Sequence, residues 1–278
     1  MTVKPPPPPG PYTPDLGIQY PARTDAHMIE IQGTPPVIDE NYPYLDKSLF
    51  FRLMSTLSYL AMWTAAFVAC HVRFALRIEG RRLLRKHRKL FKNGAMTVSN
   101  HVLFWDFVCV CQAVRYHRLH FPAWPGNLGG PQRNLIRWTG GIPIPEGIHA
   151  FKYFLQAFDE LHLRKKWFHS FPEGSWWNYH QPIRPFKKGT FNLACRYNIP
   201  VIPLAFSYRP ARGLYKLFKG KYPLITLRIG DPILPDSSLS HYDAAEKLRE
   251  AAHRKMCELA GITNNPYPCK ETKMGNGM

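Results

Sequence analysis

From Leu53 to Val72 the chain reads LMSTLSYLAMWTAAFVACHV, twenty residues without an Asp, Glu, Lys or Arg. As a helix that run is about 30 Å long, the thickness of a bilayer's hydrocarbon core. It must therefore be buried in protein or face lipid. Ser55, Thr56, Ser58, Thr64 and His71 make it a weaker span than its length suggests. Arg73, Arg77, Arg81, Arg82 and Arg85 crowd its C-terminal flank. A spanning helix with that flank would keep the C-terminal side cytoplasmic. A helix dipping into one leaflet, or a core helix, fits the same residues.

The segments around the run divide the chain. Residues 1–45 begin VKPPPPPGPYTP and stay proline-rich, which predicts an extended, largely disordered tail. No basic n-region leads into an apolar stretch there, so no signal peptide is expected. Residues 46–74 are expected to form a membrane-associated helical segment, 75–262 the main folded domain, and 263–278 a flexible tail. RRLLRKHRKLFKNG, starting at Arg81, sets seven basic residues among leucines and a phenylalanine. Beside an apolar anchor it suits anionic lipid headgroups. The formal charge of +18 agrees with an anionic partner, and no nucleic-acid motif accompanies it.

Beyond residue 75, strand and helix signals alternate. RFALRIEG, AMTVS, WFHSF, IPVIPLAFSY and LITLRIGDPI read as strands. DFVCVCQAVRYH, GIHAFKYFLQAFDELHLRKK, KGTFNLACRYN and HYDAAEKLREAAHRKMCELAG read as helices. That alternation predicts a single α/β domain. Cys70, Cys109, Cys111, Cys195, Cys257 and Cys269 form no CxxC pair, which suits free thiols in a reducing compartment. The spacing of Cys109, Cys111, His117 and His120 fits no common zinc pattern, so no metal is expected.

Four short stretches carry chemistry. In SNHVLFWD, His101 and Asp106 lie five residues apart. On one continuous helix they would point about 140° away from each other. They meet only if His101 lies in a turn after a strand and Asp106 opens the next helix, with Ser99 and Asn100 as turn residues. The carboxylate then holds one imidazole nitrogen and leaves the other free as a base. FPEGSWW runs a strand straight into a turn that presents Glu173, Gly174, Ser175 and Trp176. In RPFKKGTF, Lys187, Lys188 and Gly189 open a helix, an arrangement suited to an anion or oxyanion. Pro203 interrupts the buried strand VIPLAF.

Together, NHVLFWD, FPEGS, PFKKG, VIPLAF and IGDPI, in this order over about residues 75–235, resemble the glycerolipid acyltransferase superfamily, the 1-acyl-glycerol-3-phosphate acyltransferase-like enzymes. The resemblance implies a mixed, largely parallel central sheet flanked by helices. It implies acyl transfer from acyl-CoA or acyl-carrier protein, as co-substrate rather than bound cofactor, to a hydroxyl of a membrane lipid acceptor. His101 would be the general base, Asp106 its orienting acid and Glu173 a third catalytic residue. Asn100, Gly174, Ser175, Trp176, Arg184, Lys187, Lys188, Gly189 and Pro203 would surround the substrates.

Two departures bear on the acceptor. The family's G-x-x-F-I-x-R motif is here GGIPIPE, with Glu146 at the arginine position. F-P-E-G-T-R loses its arginine to Trp176. A bidentate guanidinium is not reproduced by Glu or Trp. Either Arg184, Lys187 and Lys188, with Arg133 or Arg137, bind an acceptor phosphate, or the acceptor lacks one (a glycan or other polar lipid) and its sugar or other polar headgroup stacks on the Trp176-Trp177-Asn178-Tyr179 run. That run also fits an interfacial aromatic belt. A thioesterase, and a peripheral lipid-binding protein without catalysis, stand as the competing classes.

Overall fold

The computed structural model describes residues 11–28 and 33–269. The pentaproline run of the expected N-terminal tail and the last nine residues lie outside the described residues.

The long apolar run is helix α1, Leu49–Val68, and a π-helical turn extends it to Arg73. Ser48 starts it by accepting the amide of Phe51. The alternating region then gives β1 (Arg77–Glu79), α2 (Arg81–Lys86), β2 (Met96–Ser99), α3 (Asp106–Val114), β3 (Leu119–Ala123), α4 (Arg133–Trp138) and β4 (Gly141–Pro143). It continues through α5 (Ile148–Leu163), β5 (Trp167–Ser170), α6 (Gly189–Arg196), β6 (Val201–Arg209), α7 (Leu214–Lys219), β7 (Leu224–Ile229) and α8 (His241–Ala260). Among the described residues, seven strands form one sheet in the order β1-β7-β6-β2-β5-β3-β4. Every pairing is parallel except β6 with β7. This is the mixed, largely parallel α/β domain that the motifs implied.

Alternation along β6 sorts the core onto two faces. Val201 and Ala205 join Met96, Val98, Phe158, Phe168, Phe191, Leu248 and Met256, a cluster roofed by α5, α6 and α8. Ile202, Leu204 and Phe206 join Val110, Cys111, Leu119 and Leu227 beneath α3. The strands are buried on both faces, as a helix-covered parallel sheet requires.

Helix α1 is docked along its length. Near its start the Ser55 hydroxyl donates to the Trp138 carbonyl at 2.5 Å and meets the Arg118 guanidinium. Further on, the Gln112 amide donates to the Trp63 carbonyl at 3.0 Å. At its end the sulfurs of Cys70 and Cys109 are 3.6 Å apart. The outer face keeps Leu49, Phe50, Leu53, Leu57 and Leu60 exposed. The helix is long and apolar enough to cross a membrane.

Where they are described, the stretches on either side of the catalytic region touch the domain. Tyr20 stacks on Trp177 at 5.6 Å, and its hydroxyl donates to the Asn178 carbonyl. His27 stacks on Trp124 at 3.9 Å. At the other terminus the Asn265 side chain bonds both backbone groups of Ile183, and the Cys269 carbonyl accepts the Phe186 amide. Apart from the His27–Trp124 pair, each contact satisfies backbone or ring groups of the 177–186 stretch, which has no regular secondary structure of its own.

Candidate active site

The site is built where β2 and β5 end. Asn100 leaves β2 and its side-chain amide pairs with both backbone groups of Phe206 on β6, at 2.8 and 3.2 Å. This fixes the turn that follows. Asn100, expected among the substrate-binding residues, is thereby a strut between strands.

His101 comes next, and α3 opens at Asp106. The Asp106 Oδ2 lies 3.0 Å from His101 Nδ1 and also accepts the amides of Val102 at 2.5 Å and Leu103 at 2.8 Å. Three donors converging on one oxygen favour a carboxylate, and the helix start adds to that. With Nδ1 donating to Asp106, Nε2 carries the free lone pair. The imidazole lies flat on the Phe171 ring, 3.9 Å away at 10°, and keeps 24% of its side chain exposed. Trp176 flanks it at 6.4 Å, and Phe104 stands 6.0 Å from Trp176. These apolar walls set its protonation. Burial pushes His101 down to about 3, so the ring is neutral at pH 7. Burial also pushes the Asp106 carboxyl up, against the pull of the Leu103 and Val102 amides.

Glu173 sits under this pair, not in the open. It is 3% exposed. Its Oε2 accepts the His101 amide at 3.1 Å and the Arg184 guanidinium at 2.9 Å; its Oε1 accepts the Arg184 amide at 3.0 Å. Glu173 thus positions the backbone of His101. The turn it occupies needs Gly174. That residue has φ of +79°, and the Lys187 side chain runs within 3 Å of where a Cβ would stand.

Arg184, a candidate for the acceptor phosphate, is instead 1% exposed. It is held by Glu173, by the Ser175 hydroxyl at 2.5 Å, by the Ser175 carbonyl and by the Thr24 carbonyl at 2.9 Å, with Trp177 over its plane at 4.4 Å. Ser175 and Trp177 are consumed in the same arrangement, and the indole N–H of Trp177 donates to the Ala26 carbonyl. Trp177 is therefore neither an interfacial belt residue nor a headgroup platform. Lys188 caps α6 but turns to α8, 2.9 Å from the Tyr242 hydroxyl and 3.2 Å from Glu246. Gly189 is the first residue of α6. Pro203 packs beside Gly230 on the α8 face, opposite in β6 to the even-numbered residues. Arg137 is spent on the carbonyls of Pro43, Tyr44 and Gly141. Glu146 is exposed after β4.

His169 lies on β5 below the site and had no signal in the sequence beyond its place in WFHSF. The Thr97 hydroxyl donates to the Phe168 carbonyl, so it accepts from His169 Nδ1 at 2.9 Å and leaves Nε2 buried without a partner. Among the described residues no group of three His, Cys, Asp or Glu is placed to hold a metal.

The family model described as Acyltransferase matches residues 75–207, which contain the His101–Asp106 pair, the Glu173 turn and β1 through most of β6. That segment belongs to the acyltransferase family. Eight solved chains resemble this one. One of them is the crystal structure of the 1-acyl-sn-glycerophosphate (LPA) acyltransferase PlsC from Thermotoga maritima. It is 21% identical, with 78% of this chain and 84% of that chain covered and a TM-score of 0.48. No curated protein matches the chain.

Proposed function

We propose that this acyltransferase-family protein moves a fatty acyl group from a thioester donor, acyl-CoA or acyl-carrier protein, to a hydroxyl of a lysophospholipid-class acceptor. The observation that carries the reading is an imidazole held through Nδ1 by Asp106, with Nε2 unbonded between apolar walls. Nε2 takes the acceptor hydroxyl proton as the oxygen attacks the thioester carbonyl. The resulting imidazolium faces Asp106, which stabilises it. The tetrahedral adduct expels the thiolate, and the proton on Nε2 passes to that sulfur. No residue of the chain need become acylated. Ser175, with its hydroxyl committed to Arg184, is not the nucleophile. With Lys188 turned to α8, Lys187 beside Gly174 is the cation left to steady the oxyanion.

The reading includes a membrane setting. The outer face of α1 is apolar, and α7 exposes Leu214, Leu217 and Phe218 among lysines. The Tyr215 hydroxyl ties α7 to the carbonyl of His71 beyond α1. The two surfaces suit an in-plane seat on one leaflet, with the basic 81–92 stretch against anionic, cytoplasmic-face headgroups.

A second reading of the acceptor has its own support. Arg184 is locked in an ion pair and Arg137 is held by carbonyls, Glu146 and Trp176 stand at the expected arginine positions, and of the cations expected to bind a phosphate Lys187 and the exposed Arg133 at the start of α4 remain. An acceptor with a polar but uncharged head fits that wall. Acyl transfer to lysophosphatidic acid and to monoacylglycerol from one acyl-CoA distinguishes them. A preference of tenfold or more for lysophosphatidic acid, lost in Lys187→Gln, supports the phosphate acceptor; equal or better use of monoacylglycerol supports the uncharged one. Transfer to neither, with acyl-CoA hydrolysed at the same rate in their absence, would sink the acyltransferase reading.

A further inference from the structure

A cavity of about 580 Å³ opens at the pole of the domain opposite His101. Arg118 and Lys166, on its wall, immediately precede the parallel strands β3 and β5, whereas His101 follows the C-terminal end of β2. Strands of four or five residues put roughly 13–17 Å between the two poles. The reaction described above makes no use of this cavity.

Its charge is one-sided. Lys47, Arg52, Arg118, Arg137, Arg164 and Lys166 line it, against Asp46 and Glu160. Lys47 and Arg164 share Glu160, at 2.8 and 2.5 Å. The Asp46 carboxylate accepts the Ser48 amide, and Arg137 is held by carbonyls. Arg52, Arg118 and Lys166 therefore face the space without a carboxylate in any described contact. Arg118 bonds only Ser55 and the Trp138 carbonyl, and its Nε is buried without a partner. Burial lowers Arg118 and Arg137 from their ordinary values. Burial, with Arg118 and Lys166 adding to it, also pushes His120 in the same wall down to about 3. Six cations lining one hollow, an excess of four over the acids present, are best compensated by a multiply charged anion.

The wall also says where that anion comes from. Phe51, Arg52, Ser55 and Thr56 of α1 form one side of the cavity. Leu49, Phe50, Leu53 and Leu57 of the same helix are exposed outward. A phosphate in the cavity thus lies beside the surface read above as lipid-facing.

The geometry points to a second, non-catalytic site in which Arg52, Arg118 and Lys166 bind the phosphate of an anionic phospholipid headgroup. The phosphate chemistry stands on the cavity alone; the lipid source rests on the membrane reading of α1.

The test uses the full chain, the variant Arg52→Gln/Lys166→Gln and a charge-matched control, Lys152→Gln/Arg254→Gln, outside the cavity. Two readouts are taken: melting temperature in inorganic phosphate against chloride at fixed ionic strength, and sedimentation with phosphatidylcholine vesicles with and without phosphatidic acid. For a dissociation constant of ~1 mM, 10 mM phosphate raises the melting temperature by about 3–6 °C in wild type and control. The cavity variant shows no such rise and loses its preference for phosphatidic acid. A variant that matches the control in both readouts overturns the site. A phosphate shift lost in the variant with vesicle binding unchanged keeps the anion site and overturns the lipid source. Acyl transfer in detergent micelles is unchanged in the variant. Both binding readouts hold even where acyl transfer is absent, so failure of this site and failure of the proposed reaction are told apart.

Discussion

Removing Glu173 is the perturbation that most sharply separates a positioning role from a chemical one. The carboxylate is 2% exposed and pairs at 2.9 Å with a guanidinium that is 1% exposed. Truncation to Ala leaves Arg184 charged, buried and held only by Ser175 and the Thr24 carbonyl. Breaking a buried pair from one side costs about 3–5 kcal/mol. In a domain of this size each kcal/mol lowers the melting temperature by about 2–4 °C, so Glu173→Ala should melt roughly 6–20 °C early. It also frees the His101 amide, and acyl transfer falls with the fold. Glu173→Gln keeps an oxygen for the two amides but not the charge, and should lose a smaller part of both. Removing the cation as well, in Glu173→Gln/Arg184→Met, should recover part of the stability, because no charge is then left buried. Thermal or urea unfolding in parallel with acyl-CoA consumption decides it. A Glu173→Gln protein as stable as wild type yet inactive refutes the argument, because the carboxylate would then act in the reaction itself.

Three further outcomes follow from the same geometry. Because burial holds His101 near 3, kcat/KM should stay level from pH 8 down to about 5; a break near 6.5 in the pH–rate profile contradicts the dry-walled base. His169 is also held near 3, while an unfolded histidine titrates near 6.5. The unfolded state thus binds more protons below that value, and stability present above pH 6.5 is lost as pH falls. By pH 5 the loss from His169 is about 2 kcal/mol, read as the difference between wild type and His169→Gln in the change of urea stability from pH 7.5 to 5; an equal change in the two proteins refutes it. Asn100→Ala leaves the backbone N–H and C=O of Phe206 unpaired in a buried strand and should cost about 2 kcal/mol, whereas loss of substrate affinity without loss of stability would return Asn100 to the substrate.

The elements legible in the sequence were those with enough residues to show a period. VIPLAFSY, LITLRI, the 148–163 helix and the closing helix fall where their patterns predicted. β3 and β4 were missed. LHFPA contains a proline and pairs with β5 through only two residues, while GIP is three residues long and reads as a turn. Helix α7 was missed because LYKLFK places its apolar residues outward, with no core to signal. At the site, the turn between β2 and α3 was deducible, because His101 and Asp106 have no other way to meet. The fate of Arg184 was not. It comes eleven residues after Glu173, across a stretch with no regular structure, and nothing in PIRPF says which way a guanidinium between apolar neighbours will turn. The attached N-terminal segment was hidden for a like reason, since its anchors are single rings and carbonyls spread over 16–27.

The central claim is that His101 Nε2 takes a proton from an acceptor hydroxyl. The most direct measurement is the rate of acceptor-dependent CoA release from a long-chain acyl-CoA, wild type against His101→Ala, with both proteins matched in melting temperature and vesicle binding. Loss of a general base predicts a fall of about 10²–10⁴-fold with vesicle binding unchanged. A His101→Ala protein within about threefold of wild type would contradict the account.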